Sequence, residues 1–419
     1  MKKHDIVIIG GGAGGLAAAQ GASASRLDVL LLEKDAQLGG ILNQCIHTGF
    51  GLQHYKEELT GPEYAQRAIR ELEGLPITIK TNTTVIAIEK TTDFTITYTN
   101  ESEGETTIRA TACILTTGSF ERTRGAIKLP GTRPKGIITA GSAQRYLNID
   151  GYLVGKNIFI LGSGDIGLIM ARRLTLEGAQ VLGVAEILPH ASGLTRNIVQ
   201  CLHDYDIPLY LSHTVTDIRG AGQLRGITIS EVDANFQKKP HTEKHFEVDT
   251  LMLSVGLIPD ITAFNGLSFA KDNRTNGALV NQTFETSLEG LFAAGNALHI
   301  HDLVDDVSAE SLLAGKHAKA YLENKNQKAA SHIDVLVDEH INYCLPQRIQ
   351  CTQDTDPITF SLRVKAKHEK ATLKIMQGDK VLMTRKRQHL APAEMERITF
   401  KNVDRLDDQT PLSLKLEVS

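Results

Sequence analysis

Two glycine-rich runs in this chain have the residue types and the spacing to hold a pyrophosphate. The first is Gly10-Gly11-Gly12-Ala13-Gly14-Gly15, followed by Ala19, and it fits G-x-G-x-x-G-x-x-x-A. The second is Gly162-Ser163-Gly164-Asp165-Ile166-Gly167, followed by Ala171. In such a run one glycine makes a tight turn. The next lets the backbone approach the phosphates, and the third lets a helix pack closely on a strand. The helix that follows offers the anion its unpaired N–H groups and the positive end of its dipole. An acid completes each set: Glu33 and Glu186 stand where a carboxylate accepts hydrogen bonds from a ribose diol.

Glycines at this spacing work only if strands and a helix hold them. Asp5 to Ile9 is a short β-branched run of the kind found in buried parallel strands. Leu16 to Ala22 reads as a helix of small residues, and Val29 to Leu32 as a second strand running into Glu33. Around the second run, Asn157 to Leu161 and Val181 to Val184 repeat the pattern, ending at Glu186. One G-x-G-x-x-G is weak evidence. Two in one chain, each with strand, helix, strand and terminal acid, make a specific signal. Glu186 also predicts NAD(H) over NADP(H). A carboxylate there bonds a free 2′-hydroxyl and repels a 2′-phosphate, and the next residues are Ile187 and Leu188, with no arginine.

Further apolar runs mark where the chain leaves each sheet. Ala112 to Leu115 leads into Thr116-Thr117-Gly118, and Thr250 to Val255 into Gly256-Leu257-Ile258-Pro259. A late run, Leu288 to Ala294, ends in Gly295-Asn296, and Ser308 to Glu323 is compatible with a helix.

Composition sets the outer limits. The 419 residues suffice for two to four domains. A net charge of -4 leaves no basic footprint for nucleic acid. Five cysteines without a C-x-x-C pair point to a reducing compartment, and a cytoplasmic location is expected. Lys2 and Lys3 precede Ile6-Val7-Ile8-Ile9, but that run is too short for a signal peptide and stops at glycines. With no long apolar stretch, no membrane span is expected.

These motifs, in this order, resemble the pyridine nucleotide–disulfide oxidoreductases over about residues 1–325. The resemblance implies an α/β fold with two Rossmann-like domains. The FAD domain (1–120 and 285–330) is split by an NAD(P) domain (121–284). A C-terminal antiparallel β domain follows (335–419). The resemblance implies FAD contacts at Gly10, Gly12, Ala13, Gly14, Gly15, Glu33 and Lys34. It extends them to Gly40, Ile41, Asn43 and Val85, and then to Thr117, Gly118, Asn296, Val307 and Ser308. Asn296, where the family has an acid, would offer its oxygen to a ribityl hydroxyl. A helix beginning near Ser308 would aim its N-terminus at the flavin. NAD contacts are implied at Gly162, Gly164, Asp165, Ile166, Gly167, Glu186 and Gly256.

The segment Gly40-Ile41-Leu42-Asn43-Gln44-Cys45-Ile46-His47 departs from the disulfide reductases in holding one cysteine where they hold a pair. Dithiol exchange needs a resolving thiol, so glutathione, lipoamide or thioredoxin reduction is not expected. Together with Glu121-Arg122-Thr123-Arg124-Gly125 and Gly295 to Asp302, this segment is similar to a disulfide-free branch. That branch contains bacterial flavoproteins found beside glycerol-3-phosphate dehydrogenase and the subunits of dye-linked proline dehydrogenase, opine oxidase and hydrogen cyanide synthase. It implies an FAD-dependent oxidoreductase passing electrons between NADH, FAD and a partner dehydrogenase subunit, in a hetero- or homo-oligomer. Two alternatives stay open: direct oxidation of a small metabolite with a silent NAD site, and a non-enzymatic redox sensor or scaffold.

Cys45 and His47 are the candidate catalytic residues, against the plainer roles of packing and loop bracing. Arg122 and Arg124 are candidates for a phosphate or a hinge, and equally for a solvated loop. His299-Ile300-His301-Asp302 carries residue types that suit zinc or iron, but H-x-H needs further ligands and none is evident. The expectation is therefore no metal. The histidines, with Asp302, Asp305 and Asp306, would line the flavin pocket. Alternation at Ile358, Phe360, Leu362 and Val364, at Leu412 to Val418, and around Gln377-Gly378-Asp379-Lys380 predicts a β-sandwich-like tail that docks a partner or a second copy.

Overall fold

The computed structural model describes residues 1–261, 266–324, 331–351 and 356–418. It divides into two compact units: Met1–Ser119 with Ile258–Ser419, and Phe120–Leu257. Residues 258–261 and 266–284, expected in the second domain, thus belong to the first unit.

In the first unit, strand Lys3–Ile9 lies between Val29–Leu32 and Gly104–Leu115, all parallel, with Ile77–Lys80 beyond Val29–Leu32. Both faces of this sheet are covered at its centre, which is why residues 6–9, 29–32 and 112–115 read as unbroken apolar runs. Ile6, Ile8, Val29, Leu31, Ile114 and Phe292 face one core together with helix residues Leu16, Ala18 and Ala19. Their alternates Val7, Ile9, Leu30, Leu32, Cys113 and Leu115 face another. The late strand is shorter than its apolar run. Leu291–Ala293 pairs in parallel with Cys113 to Leu115, completing the sheet from 176 residues further along the chain.

The second unit holds a five-stranded parallel sheet in the order Ile137–Thr139, Thr250–Leu253, Asn157–Leu161, Gln180–Glu186, Leu209–Leu211, and an antiparallel sheet of His213–Arg219, Gly226–Glu231 and Lys244–Phe246. Helices Ala140–Asn148 and Asp165–Leu176 supply Ala143, Leu147, Leu168 and Ala171 to its core.

The tail is a sandwich within the first unit. One sheet runs Arg348–Gln350, His332–Val337, Leu412–Val418, His368–Gln377, Lys380–Leu390, and the other Ile341–Leu345, Ile358–Val364, Glu396–Phe400. The predicted alternating residues Ile358, Phe360, Leu362, Leu412, Leu414 and Leu416 form its core, and Gln377 pairs with Lys380 across the turn. One pairing, His332–Val337 with Leu412–Val418, is parallel. Tyr343 and Leu345 belong instead to the core under the first parallel sheet, so the sandwich is seated on the N-terminal fold.

Candidate functional site

The first cradle is shaped by contacts that exclude any side chain. Gly10 has φ +104, and a Cβ there would lie 2.5 Å from Thr116 O. A Cβ on Gly15 would lie 1.7 Å from Gly10 O. Gly12, by contrast, faces open space: a Cβ there meets nothing nearer than Gly40 Cα at 4.0 Å. Helix Ala13–Ala22 starts directly from Gly12, without a side-chain cap, so its first N–H groups face the same opening. Ser311 Oγ, buried and lacking a hydrogen-bond partner, lies 3.1 Å from the Cβ position of Gly14. An open glycine, an uncapped helix start and an orphaned hydroxyl fit a bound dinucleotide pyrophosphate.

Glu33 is buried and accepts N–H groups from Gly11 at 2.5 Å and Asp35 at 2.7 Å, one on each carboxylate oxygen. Each oxygen keeps a lone pair for a ribose hydroxyl. Lys34 is exposed and pairs with Asp35. Gly39 N–H bonds Gly11 O at 2.8 Å, which lays Gly40 beside the cradle. Asn43 braces this loop, donating from Nδ2 to Leu38 O at 2.9 Å. Ile41 is exposed. Cys45 ends the short helix Gly40–Gln44, with Sγ donating to Ile41 O at 3.3 Å, and takes part in no disulfide. His47 stacks on Phe50, with its Nδ1 3.0 Å from Thr48 O. Val85 packs against the sheet core. Thr117 Oγ donates to Asp260 O at 2.5 Å, and Gly118, at φ +75, borders open space.

Two expectations change at the late loop. Helix Val304–Asn324 starts a turn earlier than Ser308. Asp305 and Asp306 occupy its first turn, where acids are favoured by the helix dipole. Ser308 therefore sits in the second turn, buried, with its Oγ accepting from Tyr64 Oη at 2.8 Å. Val307 lies over Gly14 and Gly295. Asn296 turns its oxygen toward His301, whose backbone N–H donates to it at 3.0 Å. A ribityl hydroxyl would then meet the amide nitrogen.

Behind Asn296 lies a buried cluster of His299, His301 and Glu310, the last of which the sequence did not reveal. Glu310, two turns into the helix, places Oε2 3.0 Å from His299 Nε2 and 3.3 Å from His301 Nε2. Its other oxygen accepts Gly295 N–H at 2.8 Å. Burial would raise the Glu310 carboxyl, but the two imidazoles facing it hold it below the usual range. Burial pushes His299 down to about 4, so the ring is neutral. His299 Nδ1 faces Tyr343 Oη at 3.5 Å, and Arg363 Nε donates to that oxygen at 3.2 Å. Arg363 also pairs with Asp302, and Arg397 with Asp306. Met395 N–H donates to Asp302 Oδ2 at 2.8 Å. The sandwich thus grips the loop leading into the helix. The i,i+9 spacing of His301 and Glu310, with the helix beginning at Val304, was the only available sequence signal.

In the second unit Gly162, at φ +94, would place a Cβ 2.1 Å from Ser254 O. Gly164 caps helix Asp165–Leu176. Gly167 N–H donates to Ser254 Oγ at 3.0 Å. Asp165 accepts from Leu194 N and Asn197 Nδ2, at 2.8 and 2.6 Å, which ties down the loop after Glu186. Ile166 packs against the core. Glu186 Oε2 takes Ser163 N–H, Ser163 Oγ and Ser192 Oγ at 3.0, 2.6 and 3.0 Å, and Oε1 takes Leu188 N–H at 3.0 Å. Gly256 O accepts Arg122 N–H at 3.0 Å. Arg124 donates to Gly131 O at 3.1 Å.

Residues 4–313 match the model of the pyridine nucleotide-disulphide oxidoreductase family. The chain belongs to that family. It is an FAD-dependent NAD(P)H oxidoreductase. Among its relatives, a ferredoxin–NADP reductase from Halalkalibacterium halodurans is 24% identical over 332 residues, covering 76% of this chain and 94% of its own. The thioredoxin reductase structure from T. acidophilum superposes with a TM-score of 0.63 at 24% identity, over 77% of this chain and 100% of that one. L-proline dehydrogenase from P. horikoshii gives 0.50 at 18% identity, over 77% and 55%. The last two likenesses concern the fold. The family match stops short of the sandwich. Among the described residues no helix is long and apolar enough to cross a membrane.

Proposed function

We propose that the protein exchanges reducing equivalents between NAD(H) and a partner dehydrogenase subunit, without a redox-active disulfide. FAD, when bound, supplies the two-electron chemistry. The residues of the chain position it. Gly12 and the helix start after it receive the pyrophosphate, Glu33 the ribose, and Asn296 the ribityl chain.

The carrying observation is that the segment from Gly40 to His47 holds one cysteine, Cys45, where disulfide exchange needs two. None of the five cysteines is in a disulfide. Complete burial pushes the Cys113 thiol up to about 12 and raises that of Cys344 as well. Neither can supply the thiolate that disulfide exchange requires. Glu186 supports NAD(H): a buried carboxylate fixed by four donors stands where a ribose 2′-hydroxyl is accepted and a 2′-phosphate repelled. Relatives named for NADP do not decide this, because the choice rests on residues around this one carboxylate.

The test is anaerobic stopped-flow absorbance of the flavin-loaded protein. Bleaching by NADH at least about tenfold faster than by NADPH is expected, since one lost charge–hydroxyl contact is worth on that order. The reduced protein should leave an added disulfide such as dithiobis(nitrobenzoate) unreduced. Reduction of it at the expense of NADH, lost in Cys45→Ser, would restore a thiol mechanism and overturn the proposal.

One observation favours a second reading, direct oxidation of a small metabolite with the second cradle silent. Glu186 Oε2 already holds three donors from the protein itself. Bleaching by neither nucleotide, in protein shown to carry FAD, would select that reading.

A further inference from the structure

We propose that His299, His301 and Glu310 form a binding site for a divalent transition-metal ion of the zinc class. The three donor atoms lie within 4.8 Å of one another. The side chains are 0%, 1% and 9% exposed, so they converge inside the protein. Two imidazoles and one carboxylate are a donor set that zinc and ferrous iron both accept.

The hydrogen bonds around the cluster point the same way. His301 Nδ1 faces two acceptors, His299 O at 3.0 Å and Asn296 Oδ1 at 3.3 Å. Both atoms only accept here, so Nδ1 carries the proton. The other ring nitrogen, Nε2, lies 3.3 Å from a Glu310 carboxylate oxygen and is buried with no hydrogen-bond partner. A cation held by both atoms would give Nε2 the partner it lacks.

The outer contacts match those of metal sites. A ligating histidine commonly donates its other N–H to a backbone carbonyl, as His301 does to His299 O. The second oxygen of Glu310 is fixed by Gly295 N–H. His299 needs only to exchange tautomer. Its proton moves from Nε2 to Nδ1, where Tyr343 Oη accepts it, and the Arg363 guanidinium holds that hydroxyl in place. The ion would join the His299–His301 loop to the long helix. It would act on the stability of that junction.

The experiment uses the full-length, flavin-loaded protein, dialysed against a chelator and titrated with cobalt(II) chloride and with zinc chloride. One cobalt per chain with visible d–d absorption, displaced by zinc, is expected, as is a rise in melting temperature with zinc. His301→Ala should weaken cobalt binding roughly a hundredfold. Glu310→Gln should do the same, and flavin absorbance and circular dichroism report whether either variant has folded. If one misfolds, the other decides. No cobalt spectrum in the parent protein would overturn the proposal, as would unchanged binding in a folded variant. In that event His301 carries a second proton and the cluster is an internal ion pair, which the nitrogen-15 shifts of its ring would show.

Discussion

The two cradles share a backbone and differ in how each acid is held. Both start from a glycine of positive φ beneath a carbonyl, and both launch a helix without a side-chain cap. In the first, Glu33 meets two backbone N–H groups, and the middle residue of G-x-G is Gly11. In the second that residue is Ser163, and its hydroxyl, with Ser192, closes over one oxygen of Glu186. The backbone therefore leaves the same glycine turn and uncapped helix start in either case. The side chain between the glycines decides how much of the acid remains for a ribose.

The most damaging way to break the comparison is Gly15→Ala. Its Cβ would strike a backbone oxygen that cannot yield, and we expect a loss of about 3 kcal/mol of stability, with flavin released on gel filtration. Gly167→Ala meets the side chain of Ser254 at 2.5 Å, and Ser254→Gly should recover most of its smaller loss. Equal damage from the two alanines would mean the cradles are equally rigid. Next is Arg363→Met, which strands Asp302 in a part-buried site and should cost about 2 kcal/mol. Calorimetry should show flavin affinity falling, since Asp302 lies on the loop that holds Asn296. Unchanged flavin affinity would refute that link.

Glu186→Gln comes third. Removing the charge should lower kcat/KM for NADH about tenfold and bring NADPH closer to it. An unchanged ratio would strip Glu186 of its role in coenzyme choice. Smallest is Ser163→Gly, which gives the second cradle the middle residue of the first. One fewer hydroxyl on Oε2 should lower the KM for NADH about two- to threefold, a fraction of a kcal/mol. A raised KM would show that Ser163 helps to hold the nucleotide.

Local pattern carried the glycine turns, the parallel strands and the alternating tail, because each rests on backbone geometry and on burial of both sheet faces. It did not carry the start of the late helix, since Asp305 and Asp306 look like loop residues until a helix dipole is there to favour them. Glu310 was illegible for a related reason: it meets His301 only once that helix begins at Val304. Alternation in the tail announced strands but could not say that Tyr343 and Arg363 would turn toward the histidine loop rather than toward a partner. The direction of the Asn296 oxygen was set by a backbone N–H, which leaves no trace in residue type.

The strand that closes the first sheet also imposes a timetable on synthesis. Cys113, Ile114 and Leu115 leave the ribosome long before Leu291 to Ala293, the segment that covers their edge. At the usual pace of translation the wait is roughly ten to thirty seconds. Phe120–Leu257 has time to fold by itself in that interval, while the nascent first sheet carries an open, apolar margin. A chaperone able to shield that margin until the last strand arrives should raise the yield of this chain more than one acting after release.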